Sequence, residues 1–321
     1  MRKEPAGTLP VFRKDSFGRR LSKDLRRNKY VYLMLLVVVA YYILFKFKPM
    51  TYMVIAFQDY KVFKGIQGSP FVGFKNFITF FNSKDFVRLL RNTLVLSFYS
   101  MLIEFPMPIL FALMINEVYN AKAKRVMQTI SYMPHFISMV VICGLLRNFV
   151  SSEGIINNII SAVNPHWNPM NLLGDPKYYR TVHIGSGLWQ KIGWDSILYL
   201  ATLSTIDPQL YEAAYIDGAS RLKRIYHVTL PGLKPVITVQ FIMSIGFIMS
   251  GGGGYEKNLL LYNPAIYETA DVIGTYMYRY TFMNTNYGLG AAVGVFNTLA
   301  NIIVLLVANG ICRAITEDSL W

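Results

Sequence analysis

The chain has 321 residues, of which 53% are hydrophobic and only 16% are charged. An average soluble domain carries about 25% charged residues, so this composition argues against a single soluble globule. The net charge of +14 would suit a nucleic-acid partner, but the basic residues are separated from long apolar runs, which indicates a membrane protein that binds no nucleic acid.

The first 29 residues contain ten Lys and Arg residues and precede the first apolar run. A signal peptide would have small residues at a cleavage site after that run, where this chain has Tyr41, Tyr42 and Phe45. We therefore predict a basic cytoplasmic tail over residues 1–29 and a retained first helix. The remaining residues, 30–321, are predicted to form one transmembrane domain.

Six apolar runs are long enough to cross a bilayer core about 30 Å thick, which takes roughly 20 mostly apolar residues per helix. Six spans place both termini on one side of the membrane, and the dense basic tail places that side in the cytoplasm. The predicted spans lie near residues 30–48, 92–116, 129–150, 182–206, 235–254 and 291–312.

Three charged side chains lie in the interior of predicted spans, away from the span ends, where an isolated charge is costly and marks a functional candidate. Glu104 lies near two prolines and is interpreted as a partner for a basic group or as an element of a gate. Lys191 and Asp195 are four residues apart and share one helix face. We expect them to neutralise each other, with substrate contact as the alternative.

The cytoplasmic loop over residues 207–231 is the most informative segment. Asp207 followed by proline is the favoured order for a helix start, and Gly218 is a typical helix stop. We predict a second short helix, Arg221–Val228, that Pro231 ends. The two helices would form a rigid cytoplasmic protrusion without catalytic groups, suited to be held by a partner.

Gly251–Gly254 interrupt the fifth predicted span, since each glycine costs a helix about 1 kcal/mol. The glycines open the last external loop, which is rich in tyrosine. One interpretation is a flexible aromatic arm that touches a docked partner. The other is a loop that its tyrosines hold at the membrane interface.

The chain lacks the motifs of an ATPase or a metal site. No phosphate loop of the form G-x-x-x-x-G-K-[ST] occurs, and the glycine run lacks the lysine that such a loop needs. The four histidines show no metal-ligand spacing. We therefore expect no catalytic residue, no cofactor and no metal ion in this chain.

A longer pattern runs through the cytoplasmic loop: Glu212-Ala-Ala, then Gly218 after three residues, then Val228-Thr-Leu-Pro231 after nine more. This pattern resembles the EAA motif of permease subunits in bacterial ABC importers. Other segments resemble the binding-protein-dependent sugar permeases, in particular the complex-polysaccharide branch and, within it, the alginate importers. These segments are Phe71–Phe77, Asn92-Thr93, Asp271–Tyr276 and Ser319–Trp321.

The resemblance implies an all-α integral membrane protein with six transmembrane helices of the type I ABC importer permease fold and a cytoplasmic coupling-helix loop. That loop would dock on a separate ATPase subunit, with Glu212 pairing with a basic residue there and Gly218 permitting the bend. The implied ATPase-coupling residues are Glu212, Ala213, Ala214, Gly218, Leu230 and Pro231.

The resemblance also implies a function and partners. The chain would carry an oligo- or polysaccharide inward across the bacterial inner membrane, with a second permease in a heterodimer, two ATPase subunits that bind ATP and Mg, and an extracytoplasmic sugar-binding protein. The predicted external segments carry 12 basic and 7 acidic residues, which suits an anionic sugar such as alginate. The alternative is an ion-coupled secondary transporter, which would be expected to show a two-half repeat that this sequence lacks.

In sugar permeases the span before the coupling loop contributes to the translocation path. Gln190 and Trp194 share a face of that span, where the indole would stack on a sugar ring and the amide would bond its hydroxyls. We predict that they contact sugar, with plain helix packing as the alternative. Asn297 and Asn301 on the last span are candidates of the same kind, and they would suit a hydrogen bond to a neighbouring helix equally well.

Overall fold

The computed structural model describes Gly18 and residues 24–316. Most of the predicted basic tail, and the segment Ser319–Trp321 that contributes to the resemblance, lie outside the described residues. Within them the secondary structure is helical apart from an isolated β-bridge between Gln58 and Phe71. The predicted all-α fold class is confirmed.

The chain divides into two compact units, Met1–Val54 and Ile55–Trp321. The first unit holds most of helix α1, Lys29–Phe57, which has 29 residues. Its opening stretch, Lys29–Tyr42, has no buried side chain. A helix that is apolar all round and is not covered by protein is typical of a membrane span.

The second unit is a bundle of longer and shorter helices joined by short connections. In chain order they are α2 (Lys75–Phe81), α3 (Phe86–Asn116), α4 (Ala121–Phe136), α5 (Met139–Phe149), α6 (Ile155–Val163), α7 (Pro176–Leu203), α8 (Pro208–Ile216), α9 (Arg221–Gly246), α10 (Tyr255–Leu261), α11 (Ile273–Tyr278) and α12 (Tyr287–Thr316).

Helices α1, α3, α9 and α12 are each long and apolar enough to cross a membrane, and α4 with α5 meets the same criterion as a pair bent by 98°. The bend has a local cause. Pro134 interrupts the helical hydrogen-bond ladder, and Ser138 caps the new helix by accepting a hydrogen bond from the Val141 N–H at 3.4 Å. The apolar run predicted as one straight span is therefore two helix segments.

Helix α7 forms the centre of the second unit. It packs against α3, α4 and α9 and contributes Tyr179 and Tyr199 to two of the buried apolar clusters. Its 28 residues extend about 42 Å, which is long enough to cross a bilayer. Its hydropathy is lowered by its charged residues, Lys177, Arg180, Lys191 and Asp195.

Gly193 lets the backbones of α7 and α4 meet. A Cβ atom built at this position would overlap the backbone carbonyl of Ser131. Because backbone cannot move aside as a flexible side chain can, only glycine fits here without separating the two helices.

We expect Gly193→Ala to lower the thermal stability of the purified protein by about 1–3 kcal/mol, the usual cost of overpacking a close contact. Gly185→Ala is the matched control, since it lies in the same helix and its Cβ would meet nothing within 4 Å. Thermal unfolding in detergent gives the comparison. Equal midpoints for the two variants would contradict the close approach of α7 to α4.

Candidate functional site

The start and end of α8 have the local geometry that the sequence predicts. The Asp207 side chain caps the helix by accepting a hydrogen bond from the Gln209 N–H at 2.9 Å. The helix ends at Ile216, and Gly218 follows with a φ of +72°, the left-handed conformation typical of a helix C-terminus. The predicted cap and glycine stop are confirmed.

The predicted second short helix of the loop is wrong. The helix that begins at Arg221 does not end at Pro231 but continues to Gly246 as α9, so it is the first part of a helix that is long and apolar enough to cross a membrane. A π-helical turn, Ile225–Thr229, lies just before the proline. This wider turn accommodates the proline ring and its missing N–H, which would break a regular α-helical ladder.

The surface of α8 combines an acid with uncovered apolar side chains. Glu212 is exposed, with Ala213 and Ala214 next to it. Exposed apolar residues in a group mark a site of protein interaction. The large apolar residues of α8 are Leu210, Tyr215 and Ile216, which are 54%, 71% and 84% exposed.

A side-chain hydrogen bond joins α8 to α9. The hydroxyl of Tyr211 lies 3.1 Å from Oγ1 of the buried Thr229, within the π-helical turn of α9. On the other side, the Ala219 N–H donates to the Ala214 carbonyl at 2.9 Å and closes the turn at Gly218. Tyr211 therefore connects α8 to the base of α9.

A cavity of about 310 Å³ lies between α3, α7 and the end of α9 with the residues that follow it. Polar groups inside a membrane helix bundle line water-filled pathways or substrate sites, because they are costly against lipid. The polar side chains of the cavity wall are Ser97, Ser100, Glu104, Lys191, Asp195, Gln240, Ser244 and Ser250.

The charged groups of the cavity are not directly paired. Within the described part of the chain, no ion pair of 4.0 Å or less joins Lys191 to Asp195 or to Glu104. Asp195 nevertheless lies within the electrostatic influence of Lys191, so the two charges interact without direct contact. Their mutual neutralisation stays a prediction.

Gly187 makes room for a carboxylate and an ammonium on the wall of α7. A Cβ atom at Gly187 would overlap the Glu104 carboxylate and come within 3.3 Å of Nζ of Lys257. The Lys257 ammonium in turn donates a hydrogen bond to the His183 carbonyl at 2.6 Å. Glu104 therefore has a basic neighbour, as one of its two predicted interpretations requires.

The glycines after α9 are part of the cavity wall. Gly251–Gly254 have φ values between +74° and +119°, a path that other L-residues rarely adopt. The Gly252 N–H donates to Oγ of Ser97 at 3.0 Å, and the Gly252 carbonyl lies 2.9 Å from Nε2 of His183. Gly251 and Gly252 are buried, whereas Gly253 is exposed; contact of the following aromatic loop with a docked partner stays a prediction.

Gln190 and Trp194 lie on the neighbouring face of α7 and do not line this cavity. Gln190 is 7% exposed, and its Oε1 has no partner among the described residues. Trp194 stacks on His135 with ring centroids 4.2 Å apart, yet 41% of it is exposed. Their contact with sugar stays a prediction.

The two asparagines of α12 differ in their surroundings. Oδ1 of Asn301 accepts a hydrogen bond from the Met249 N–H at 3.0 Å, so this residue joins α12 to the turn after α9. Oδ1 of Asn297 is buried and has no partner within the described chain. Neither residue lines the cavity, and their contact with sugar stays a prediction.

A buried ion network near the start of α3 was missed by sequence reasoning. Asp271 is fully buried and pairs with Arg279 at 2.8 Å and with Arg88 at 3.2 Å. Burial acts to lower the pKa of the Arg279 guanidinium, but the hydrogen bond and charge of Asp271 outweigh it and raise that pKa above its ordinary value. Spacing along the chain gives no sign of Arg88, 183 positions away.

The pair Asn92-Thr93 anchors the segment over residues 268–273, which contains Asp271, to α3. Nδ2 of Asn92 donates to the Glu268 carbonyl at 2.8 Å and to the Asp271 carbonyl at 3.0 Å. Oγ1 of Thr93 accepts from the Ile273 N–H at 3.0 Å. These buried contacts explain why this residue pair is part of the sequence pattern.

Residues 104–316 match the family model described as binding-protein-dependent transport system inner membrane component. The polygalacturonan/rhamnogalacturonan transport system permease protein YteP of Bacillus subtilis (strain 168) is 40% identical, over 99% of this chain and 98% of its own length.

Two solved structures are also similar along most of the chain. One is a bacterial ABC transporter involved in the import of the acidic polysaccharide alginate, with a TM-score of 0.84 and 42% identity over 92% of this chain and 99% of that chain. The other is a bacterial alginate ABC transporter in complex with an alginate pentasaccharide-bound periplasmic protein. Its TM-score is 0.85, with 41% identity over 94% of this chain and 100% of that chain.

The family match, the relative and the solved structures cover most of the membrane helices together with the loop over residues 207–231. They set aside the ion-coupled secondary transporter that the composition alone leaves open. The chain therefore belongs to the binding-protein-dependent transport system inner membrane components, the permeases of ABC importers, and has their type I fold.

Proposed function

We propose that this permease carries an acidic oligo- or polysaccharide inward across the bacterial inner membrane, with both termini in the cytoplasm. The names of its relatives support a polysaccharide, and alginate, named in two of them, is acidic. Its partners are a second permease chain in a heterodimer, two ATPase subunits that bind ATP and Mg²⁺, and an extracytoplasmic sugar-binding protein.

The observation that carries this proposal is the exposed acid and apolar surface of α8, joined to a membrane helix. Glu212 and its apolar neighbours form the docking surface for an ATPase subunit, together with Ala213, Ala214 and the turn at Gly218. Leu230 and Pro231 lie at the start of the regular part of α9. ATP-driven closure of the ATPases moves α8, and the bond from Tyr211 to Thr229 passes that movement to α9.

The cavity is the part of the permease that responds to this movement. The far half of α9 contributes Gln240 and Ser244 to the same cavity wall as Lys191 of α7. Hydroxyl and amide groups bind the hydroxyls of a saccharide, while the lysine ammonium balances its negative charge. A shift of α9 relative to α7 opens this wall outward or inward in turn, which is alternating access.

The proposal is tested by Glu212→Ala in the importer reconstituted in proteoliposomes. Loss of a charge-assisted ion pair costs about 1.5–3 kcal/mol, so we expect ATP-driven uptake and saccharide-stimulated ATP hydrolysis to fall roughly tenfold or more. The permease itself should remain folded, because Glu212 is exposed.

Gln209→Ala serves as the control, since Gln209 is an exposed side chain of the same helix and its loss should leave uptake unchanged. A Glu212→Ala complex that transports at the parental rate would contradict the coupling role. Uptake that follows an ion gradient without ATP would overturn the proposed function as a whole.

A further inference from the structure

Arg180 lies at the external end of α7 in the wall of a second cavity. That cavity measures about 540 Å³, and its other lining residues are Leu94, Val95, Phe98, Tyr99 and Ile248. Volumes of 300–1,000 Å³ are typical of ligand sites, and mostly apolar walls with a few polar groups are their usual composition. Arg180 is the charged residue of this wall.

The guanidinium of Arg180 has no carboxylate partner in the described structure. Its hydrogen bond to Oδ1 of Asn92 is 3.5 Å long, and its Nε is buried without a partner. The charged neighbours that act on it are Arg91, of the same sign, and the exposed Glu268. No ion pair of 4.0 Å or less reaches Arg180 within residues 24–316.

The nearby arginines differ from Arg180 in this respect. Arg88 and Arg279 both pair with Asp271, and Arg88 pairs with Asp85 as well. Among the described residues, Arg180 and its neighbour Arg91 therefore lack a direct ion pair at this end of α3 and α7. A half-buried guanidinium without a carboxylate partner is complementary to an anion, which it can bind through two parallel hydrogen bonds.

The second cavity adjoins the polar cavity described above. Both are formed by α3, α7 and the segment after α9, and Ile248 belongs to both walls. Arg180 and Lys191 are eleven residues apart, about three turns, so they lie on one face of α7 roughly 16 Å apart along its axis. The two cations follow one another from the external opening toward the inner cavity.

We propose that Arg180 binds a carboxylate of the acidic saccharide at the external opening of the path and thereby selects anionic over neutral sugars. The rings of Phe98 and Tyr99, which are 51% and 46% exposed, supply the apolar surface on which the sugar ring rests. This inference rests on the proposed function, since it assigns the residue that recognises the acid group of the transported saccharide.

The test is equilibrium binding to the assembled importer in phosphatidylcholine nanodiscs, with the ATPases held by a non-hydrolysable ATP analogue. Leaving out the binding protein removes a second site that would bind the probe, and leaving out anionic lipids removes headgroups that would compete for Arg180. The probes are an alginate pentasaccharide and the same pentasaccharide with its carboxylates reduced to alcohols.

For Arg180→Gln we expect the Kd of the acidic probe to rise roughly tenfold or more, the range for one lost charge-assisted bond, while binding of the neutral probe stays within about twofold. Arg180→Lys keeps the charge without the planar fork, so its Kd for the acidic probe should be intermediate. Lys177→Gln is the matched control: it removes one exposed charge from the same helix end and should leave both affinities unchanged.

Equal weakening of both probes in Arg180→Gln would overturn the inference, because it would assign Arg180 a role in packing. An unchanged Kd for the acidic probe, or an equal loss in Lys177→Gln, would overturn it too. Uptake of the acidic saccharide by the parental importer, measured in parallel, distinguishes failure of this inference from failure of the proposed function. If the parental importer takes up the acidic saccharide with ATP, a negative binding result refutes the role of Arg180 alone; if it does not, the proposed function fails.

Discussion

Asp271→Asn is expected to destabilise the permease by about 3 kcal/mol, measured as the change in unfolding free energy of the purified protein in detergent. Removing the charge leaves the largely buried Arg279 without its counter-ion, and breaking a buried pair costs about 3–5 kcal/mol. We expect a loss of stability at the lower end of this range because Arg88 keeps its pair with Asp85 at 2.8 Å.

Asp59→Asn is the control for this change. Asp59 pairs with Lys61 at 3.2 Å, but both side chains are more than half exposed. A surface pair of this kind contributes about 0–1 kcal/mol. If the two variants lose the same stability, the network around Asp271 does not hold the segment over residues 268–273 to α3.

Gly218→Pro is expected to reduce ATP-driven saccharide uptake at least about tenfold while the permease still inserts into the membrane. Proline fixes φ near −65°, whereas Gly218 has a φ of +72° and donates its N–H to the Tyr215 carbonyl at 3.0 Å. The turn would open, and α8 would no longer sit against the π-helical turn of α9. Uptake and co-purification of the ATPase subunits are the two measurements.

The matched control is Gly218→Ala. A Cβ atom at Gly218 would meet nothing within 4 Å, so alanine carries only the left-handed backbone cost of about 1–2 kcal/mol. It should retain most of the uptake. Normal uptake with full ATPase association in Gly218→Pro would show that the angle of α8 does not matter for coupling.

The local features of the coupling loop could be predicted because each depends on adjacent residues. The cap at Asp207 needs only the backbone N–H two positions on, and the stop at Gly218 needs only a residue that accepts a positive φ. The course of α9 could not be predicted in this way. Pro231 is a strong helix breaker in isolation, and the π-helical turn that accommodates it leaves no signal in the apolar pattern.

For the polar cavity, too, some features could be predicted from the sequence and others could not. The presence of Glu104, Lys191 and Asp195 inside apolar runs marked α3 and α7 as functional helices. Which face of α7 borders the cavity depends on where α3 and α9 pack, so the neighbouring face with Gln190 and Trp194 was an equally good choice from sequence. The rotation of a helix about its axis is set by its neighbours and not by its own pattern when both faces carry polar groups.

The sequence by itself determined that this is a helical membrane protein with a basic N-terminal segment and a capped, glycine-terminated helix in the loop over residues 207–231, because hydropathy, charge and capping act over a few residues to one helix length. The tertiary structure decided which charges meet. Asp271 finds Arg88 across 183 positions, Lys191 is left without Asp195 as a direct partner, and the glycine run after α9 becomes cavity wall. Such contacts depend on the packing of helices that are distant in the chain, where no local preference specifies a partner.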